Sequence, residues 1–213
     1  MEITWYGLSC FRLAERGAAT VITDPYEAKY TGYRQLELSA NIVTISHDSP
    51  GHSCLETVRG DPYVITGPGE YEVGKVFITG IQTGGQKGPD DPRNTLYVFD
   101  YNSLTVAHLG DLNRVPIQSE IEAMGQVNIA LIPIGGENSL NAARAAELIS
   151  MLEPNIVIPM HYATPDCRIP LDGLSKFLKE MGISEIETQP FLRVSEITLP
   201  EETKVIILDH QQS

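Results

Sequence analysis

The side chains able to do chemistry in this sequence are mainly histidines. There are five: His47, His52, His108, His161 and His210. Three of them close apolar, β-branched runs. NIVTIS ends at His47, LTVA at His108 and IVIPM at His161, and His52 follows His47 in the same loop. Such runs predict buried strands, and the loops beyond strand ends are where a rigid sheet presents side chains to a common site. Asp111 joins the set, because His108-Leu109-Gly110-Asp111 puts a carboxylate in a tight turn around a flexible glycine. Neutral imidazole and carboxylate form a ligand set that zinc, manganese and iron accept. A single histidine at a strand end is more often a hydrogen-bonded structural residue, but four in equivalent positions favour one shared site. His210 lies in a polar terminal stretch and is expected to be inert.

The elements that must position these residues change character along the chain. The first half predicts short strands at Glu2–Tyr6, Cys10–Leu13, Ala19–Thr23, Asn41–Ser46, Tyr63–Thr66, Lys75–Ile81, Thr95–Asp100 and Leu104–His108. Turns such as Glu15-Arg16-Gly17 and Asn102-Ser103 separate them. The second half alternates. Helices are predicted over Ile117–Met124, Asn141–Leu152 and Leu171–Met181, stopped by Gly125, Pro154 and Gly182. Strands are predicted over Ile129–Ile134, Asn155–Met160 and Lys204–Leu208, and Gly84–Arg93 reads as a polar loop. No internal repeat or long linker divides the chain, so residues 1–213 are expected to form one domain. Strands first and strand–helix units later suit an α/β (α+β) domain with sheets packed face to face and helices outside, a four-layer α/β/β/α sandwich. Propensity alone allows a generic α+β domain equally well.

Composition narrows the function classes. With 15 basic against 28 acidic residues the net charge is −13, and no basic stripe is present. Nucleic-acid backbones demand clustered lysine and arginine, so a nucleic-acid partner is not expected; solubility is the plain reading of the charge. Cys10, Cys54 and Cys167 are far apart with no CxxC pair, which argues against a disulfide scaffold or a thiolate zinc site and fits a reducing, cytoplasmic setting. The first residues, MEITWYGLSCF, read as a strand rather than a signal peptide, and no apolar run is long enough to cross a membrane.

The chain resembles the metallo-β-lactamase superfamily, and within it the zinc-dependent hydrolase-like proteins related to the ascorbate 6-phosphate lactonase group. The resemblance spans essentially the whole chain. It rests on WYGLSCFRL, VITDPY, IVTISHDSPGH, GPGEYEV, VAHLGDL, LIPIGG and IVIPMHYATP, in that order. It implies the four-layer sandwich and a metal that acidifies an attacking water. The family hallmark is a His-x-His-x-Asp-His loop, joined by further histidines and an aspartate from later loops. Carried over, His47 matches the first histidine of that loop, His52 the last, Asp111 the carboxylate that bridges two metals, and His161 the final histidine. By the same resemblance His108 and Asp24 stand behind the ligands, with Asp24 orienting one of them.

Several positions depart from the pattern. Ser49 replaces the second loop histidine and Gly51 the loop aspartate. Gly80–Gly88, where relatives bring another ligand, has no histidine, and Leu8 stands where they often carry one. The resemblance then leaves His47 and Asp111 at one metal position, and His52, Asp111 and His161 at the other. Three ligands are what catalytic zinc uses; two hold a metal poorly. Two functions follow, beside a structural or assembly subunit with no small-molecule site. The first is a fold relative with an eroded metal site, non-catalytic or weakly active, that binds a small-molecule ligand in the old cleft. The alternative is a mononuclear metal-dependent hydrolase of a small ester, lactone or phosphoester, with one zinc, manganese or iron ion. The sequence leaves open a site with no ion, and also a homo-oligomer.

Overall fold

The computed structural model describes residues 1–84, 93–136 and 138–211. Most of the loop expected over Gly84–Arg93 lies outside them, as do residues 85–88 of the histidine-free stretch. Two large sheets carry the fold. In the first, strands β1 (Glu2–Gly7), β2 (Cys10–Ala14), β3 (Val21–Thr23), β4 (Ile42–Thr44) and β5 (Tyr63–Ile65) lie side by side, with Leu192–Arg193 outside β1. The second runs β6 (Gly69–Val73), β7 (Val76–Thr83), β8 (Asn94–Asp100), β9 (Thr105–His108), β10 (Ile129–Pro133) and β11 (Ile156–Met160), with Lys204–Val205 outside β11.

Both sheets switch from antiparallel to parallel pairing. β3, β4 and β5 are parallel, and so are β9, β10 and β11. Parallel neighbours end at the same edge of a sheet. Asp24 follows β3, His47 lies just beyond β4, His108 closes β9 and His161 follows β11, so the topology gathers the strand-end residues.

Side-chain alternation explains the layering. Along β3 and β4, Val21 and Ile42 face the core between the sheets, while Ile22 and Val43 face a second cluster on the far side. Cys10 and Phe11 divide the same way. The central core holds Trp5, Phe11, Tyr97 and Phe99 together with apolar residues of β9, β10 and β11. The outer face of the second sheet is covered by α2 (Gln118–Met124), α3 (Ala142–Leu152) and α4 (Leu174–Glu180), which contribute Met124, Leu148 and Phe177 to the same core. The first sheet's outer face is covered by α1 (Ala28–Thr31) and extended chain bearing Tyr26, Tyr33 and Leu36. The architecture is the four-layer α/β/β/α sandwich, with one helical layer reduced to a single turn.

The structure adds elements the sequence did not suggest, among them α1 and the short parallel pair Leu38–Ser39 with Val58–Arg59, and three differences bear on the main sheets and helices. β6 was not foreseen, because GEYEV offers little apolar alternation. It forms because Gly74 and Lys75 both take positive φ, at 54° and 69°, closing a two-residue hairpin onto β7. The helix expected from Leu171 begins at Leu174, because Asp172 donates its backbone N–H to the Gly135 carbonyl and Gly173 bridges to Ala163. The strand expected over Lys204–Leu208 is split. Lys204–Val205 joins β11, whereas Ile207–Leu208 pairs with Thr188–Gln189.

No helix among the described residues is long and apolar enough to cross a membrane. A core of this size does not need a metal to fold, unlike small zinc modules. A strong chelator should therefore leave the far-ultraviolet circular dichroism unchanged, and global unfolding on chelation would contradict this account.

Candidate metal centre

The site is built outward from a buried carboxylate. Asp24 is fully buried and adopts φ 39°, which turns its side chain back beneath the β4 loop. Its Oδ1 accepts the Ser46 backbone N–H at 2.7 Å, and its Oδ2 accepts the Ser46 hydroxyl at 2.6 Å and His52 Nδ1–H at 2.8 Å. Burial alone would raise its pKa, but the His52 imidazole beside it and the Ser46 hydroxyl hold it below the usual carboxylate range.

This arrangement decides the histidine tautomers. An ionised carboxylate only accepts, so His52 presents Nδ1–H to Asp24 and turns Nε2 outward. The Ser46 hydroxyl gives its one proton to Asp24, so it accepts from His47 Nδ1, 3.0 Å away. His47 therefore also turns Nε2 outward. Ser46 was not singled out in the sequence, where one serine after a strand carries no signal. The loop bearing His52 is pinned by Glu27 N–H to the Pro50 carbonyl and Cys54 N–H to the Pro25 carbonyl.

Both Nε2 atoms face Asp111. Its Oδ2 lies 3.8 Å from His47 Nε2 and 3.4 Å from His52 Nε2, and ligand atoms of these three residues all lie within 4.8 Å of one another. Its Oδ1 lies 2.9 Å from His161 Nδ1. The two atoms of this last pair are buried, yet neither makes a hydrogen bond. Two buried ligand atoms left without a hydrogen bond are what a shared cation would satisfy. The structure thus brings together all four ligand candidates, with His47 and His52 on one carboxylate oxygen and His161 on the other. Burial opposes the charge on Asp111, but the His161 and His52 imidazoles prevail and hold its pKa well below the ordinary value.

Two further residues fix Asp111. Asn94 Oδ1 accepts the Asp111 backbone N–H at 2.9 Å, while Asn94 Nδ2 donates to Thr83 Oγ1 at 2.9 Å and the Leu109 carbonyl at 3.1 Å. Gly110 takes φ 57°, and a Cβ there would collide with Asn94 Oδ1 and Ser46. Asn94 was likewise missed, since by sequence it only precedes a strand and shows its role only across the sheet. His108 stands behind the cluster. Its Nε2–H donates to the Ser9 carbonyl at 2.8 Å, and burial lowers its pKa. Asp24 reaches it as a charge only.

Ser49 and Gly51 line the cleft with the cluster, and the cavity measures about 570 Å³. Its remaining lining is apolar at Tyr30, Ile169, Pro170 and Leu171 and polar at Arg93, Asn94 and Asn138. His210 lies elsewhere: Nε2–H donates to Asp166 Oδ2 at 2.9 Å and the ring packs on Trp5 and Tyr33.

A sandwich with its histidines and aspartate at the parallel strand ends defines the class. A family model described as a beta-lactamase superfamily domain matches residues 2–161. The chain is 31% identical to a UPF0173 protein of Pyrococcus furiosus over 182 residues, covering 77% of this chain and 84% of the relative. A UPF0173 metal-dependent hydrolase of Natranaerobius thermophilus is 26% identical with the same coverage. The crystal structure of a Thermotoga maritima protein, assigned as a Zn-dependent hydrolase of the metallo-beta-lactamase superfamily, superposes with a TM-score of 0.80 at 32% identity, covering 97% of both chains. The chain therefore belongs to the metallo-β-lactamase superfamily, among the UPF0173 proteins. These relatives and the His-His-Asp cluster together support a metal-dependent hydrolase and a metal ion at this centre. They lend no support to the non-catalytic reading.

The residues fit a cation: outward-facing imidazole nitrogens, a shared carboxylate and an orphaned buried pair. Without metal, burial disfavours the charged form of His52, but the flanking Asp111 and Asp24 carboxylates raise its pKa from 6.5 to about 10. A raised folded pKa stabilises the fold fully below the unfolded value of 6.5, and this contribution fades as pH rises through about 10. A metal must displace that proton. Zinc affinity is expected to rise about tenfold per pH unit from 7 to 8, with at least one proton released per ion. Calorimetry in buffers of different ionisation enthalpy measures this, and a proton count of zero would refute it.

Proposed function

We propose that this protein is a mononuclear zinc-dependent hydrolase of a small ester, lactone or phosphoester, with His47, His52, Asp111 and His161 around the ion. The observation that carries the reading is the pair of buried atoms, His161 Nδ1 and Asp111 Oδ1, 2.9 Å apart without a hydrogen bond. When bound, the ion supplies Lewis acidity, which acidifies water and polarises an acyl or phosphoryl oxygen. Asp24 and Ser46 orient His52 and His47, and Asn94 holds the Asp111 turn. Tyr30, Ile169, Pro170 and Leu171 offer the substrate an apolar surface that excludes water. Arg93, exposed and without a partner among the described residues, offers a carboxylate or phosphate on the substrate a cationic anchor. Manganese or iron would use the same nitrogen and oxygen donors.

The test is hydrolysis of a panel of simple esters, lactones and phosphoesters by zinc-loaded protein, beside Asp111→Asn. Turnover that follows zinc content and falls at least a hundredfold in the variant is expected. Stoichiometric zinc with no turnover on any panel member would favour the ligand-binding, non-catalytic reading. No metal binding at all would overturn the hydrolase reading and leave the ligand-binding, non-catalytic one.

The loop departures provide a second measurement. Gly51 does not take positive φ, and a Cβ there would meet only Leu8 and Tyr30 side chains at an ordinary 3.5 Å. The strain that a left-handed glycine would impose on an aspartate is therefore absent. Ser49→His with Gly51→Asp should bind zinc at least tenfold more tightly than wild type, about 1.4 kcal/mol. Equal affinities in titration calorimetry would show that the present residues already form a complete site.

A further inference from the structure

His161 sits at φ 51°, a conformation that L residues enter at a cost and keep only where their surroundings enforce it. β11 ends at Met160, so the strand ladder does not hold the backbone beyond it. The enforcement comes from four contacts, which reach His210 through Trp5 and Tyr33. His161 N–H donates to the Leu8 carbonyl at 3.0 Å, and the same carbonyl accepts Trp5 Nε1–H at 2.9 Å. The Trp5 ring packs on Tyr162, with centroids 5.1 Å apart. Two residues further on, Thr164 Oγ1 and the Tyr33 hydroxyl are hydrogen-bonded at 2.7 Å.

His210 joins these parts. Its side chain is 18% exposed, its ring meets Trp5 edge-on at 5.8 Å and Tyr33 at 5.1 Å, and Nε2–H donates to Asp166 Oδ2 at 2.9 Å. The backbone on either side is tied down. Gln211 N–H donates to the Trp5 carbonyl at 2.7 Å and Asp209 N–H to the Gln189 carbonyl at 2.9 Å. His210 and Asp166 both lie beyond residue 161, where the superfamily match ends.

We propose that His210 is a positioning residue for His161: wedged between Trp5 and Tyr33 and bonded to Asp166, it clamps the segment that carries the His161 imidazole to the cleft. The clamp itself does not depend on metal. Its consequence for metal binding rests on the reading of His161 as a ligand.

The test compares wild type with His210→Ala and His210→Gln. In metal-free protein, the His161 amide of the alanine variant is expected to exchange its hydrogen at least tenfold faster, with the Val157 and Ile158 amides unchanged. Zinc affinity should fall at least tenfold, and the visible spectrum of the cobalt(II)-loaded protein should change. Glutamine keeps a donor for Asp166 and should restore part of each effect. Should the alanine variant fail to fold, Asp166→Asn, altered at an exposed side chain, should move the same readouts at least threefold. Unchanged exchange at His161 would overturn the clamp, whatever the loss in melting temperature. Faster exchange with unchanged zinc affinity and cobalt spectrum would overturn the positioning role. Faster exchange in a protein that binds neither metal would uphold the clamp and refute the metal reading.

Discussion

An ionised carboxylate shut off from water costs several kcal/mol unless hydrogen bonds and opposite charge surround it. Asp24 is in that position, and the order of the metal centre follows from how it is satisfied. Two of its three partners come from one residue, Ser46, and the third is His52. Because the carboxylate can only accept, the proton positions around it are forced. One imidazole is bonded to it directly and another through the serine hydroxyl, and both turn their second nitrogen toward Asp111. Had a neutral amide stood at position 24, neither tautomer would be determined.

The backbone around this network is strained where the side chains are most tightly directed. Asp24 and His161 both occupy positive φ, as does Leu8, whose carbonyl receives the His161 amide. Each such residue costs on the order of 1–3 kcal/mol. The central core, with Trp5, Phe11, Tyr97 and Phe99 fully buried, offsets that cost and keeps the loops rigid. A cluster held this way has little freedom to close on itself, which accounts for a carboxylate oxygen and an imidazole nitrogen standing 2.9 Å apart without a bond.

The departures at Ser49 and Gly51 fall on the cleft side of this scaffold. Asp24 takes its hydrogen bonds from Ser46 and His52, so the orienting network does not depend on either residue.

Much of the fold was legible from the sequence, because strand and helix signals are local. NIVTIS, LTVA and IVIPM are buried strands whatever surrounds them, and the three histidines at their ends had to fall near an edge. The motif order located Asp24 and Asp111 as well. Local pattern could not show β6, which depends on two positive-φ residues in a turn, or the roles of Ser46 and Asn94, whose partners lie 22 and 17 residues away. Nor could it show that His210, far along the chain, packs against Trp5 in the first strand. Sequence determined which residues could bind a cation. Only tertiary structure decided which nitrogen each imidazole presents and which oxygen of Asp111 it faces, because hydrogen-bond direction is set by neighbours that meet only when the sheets pack.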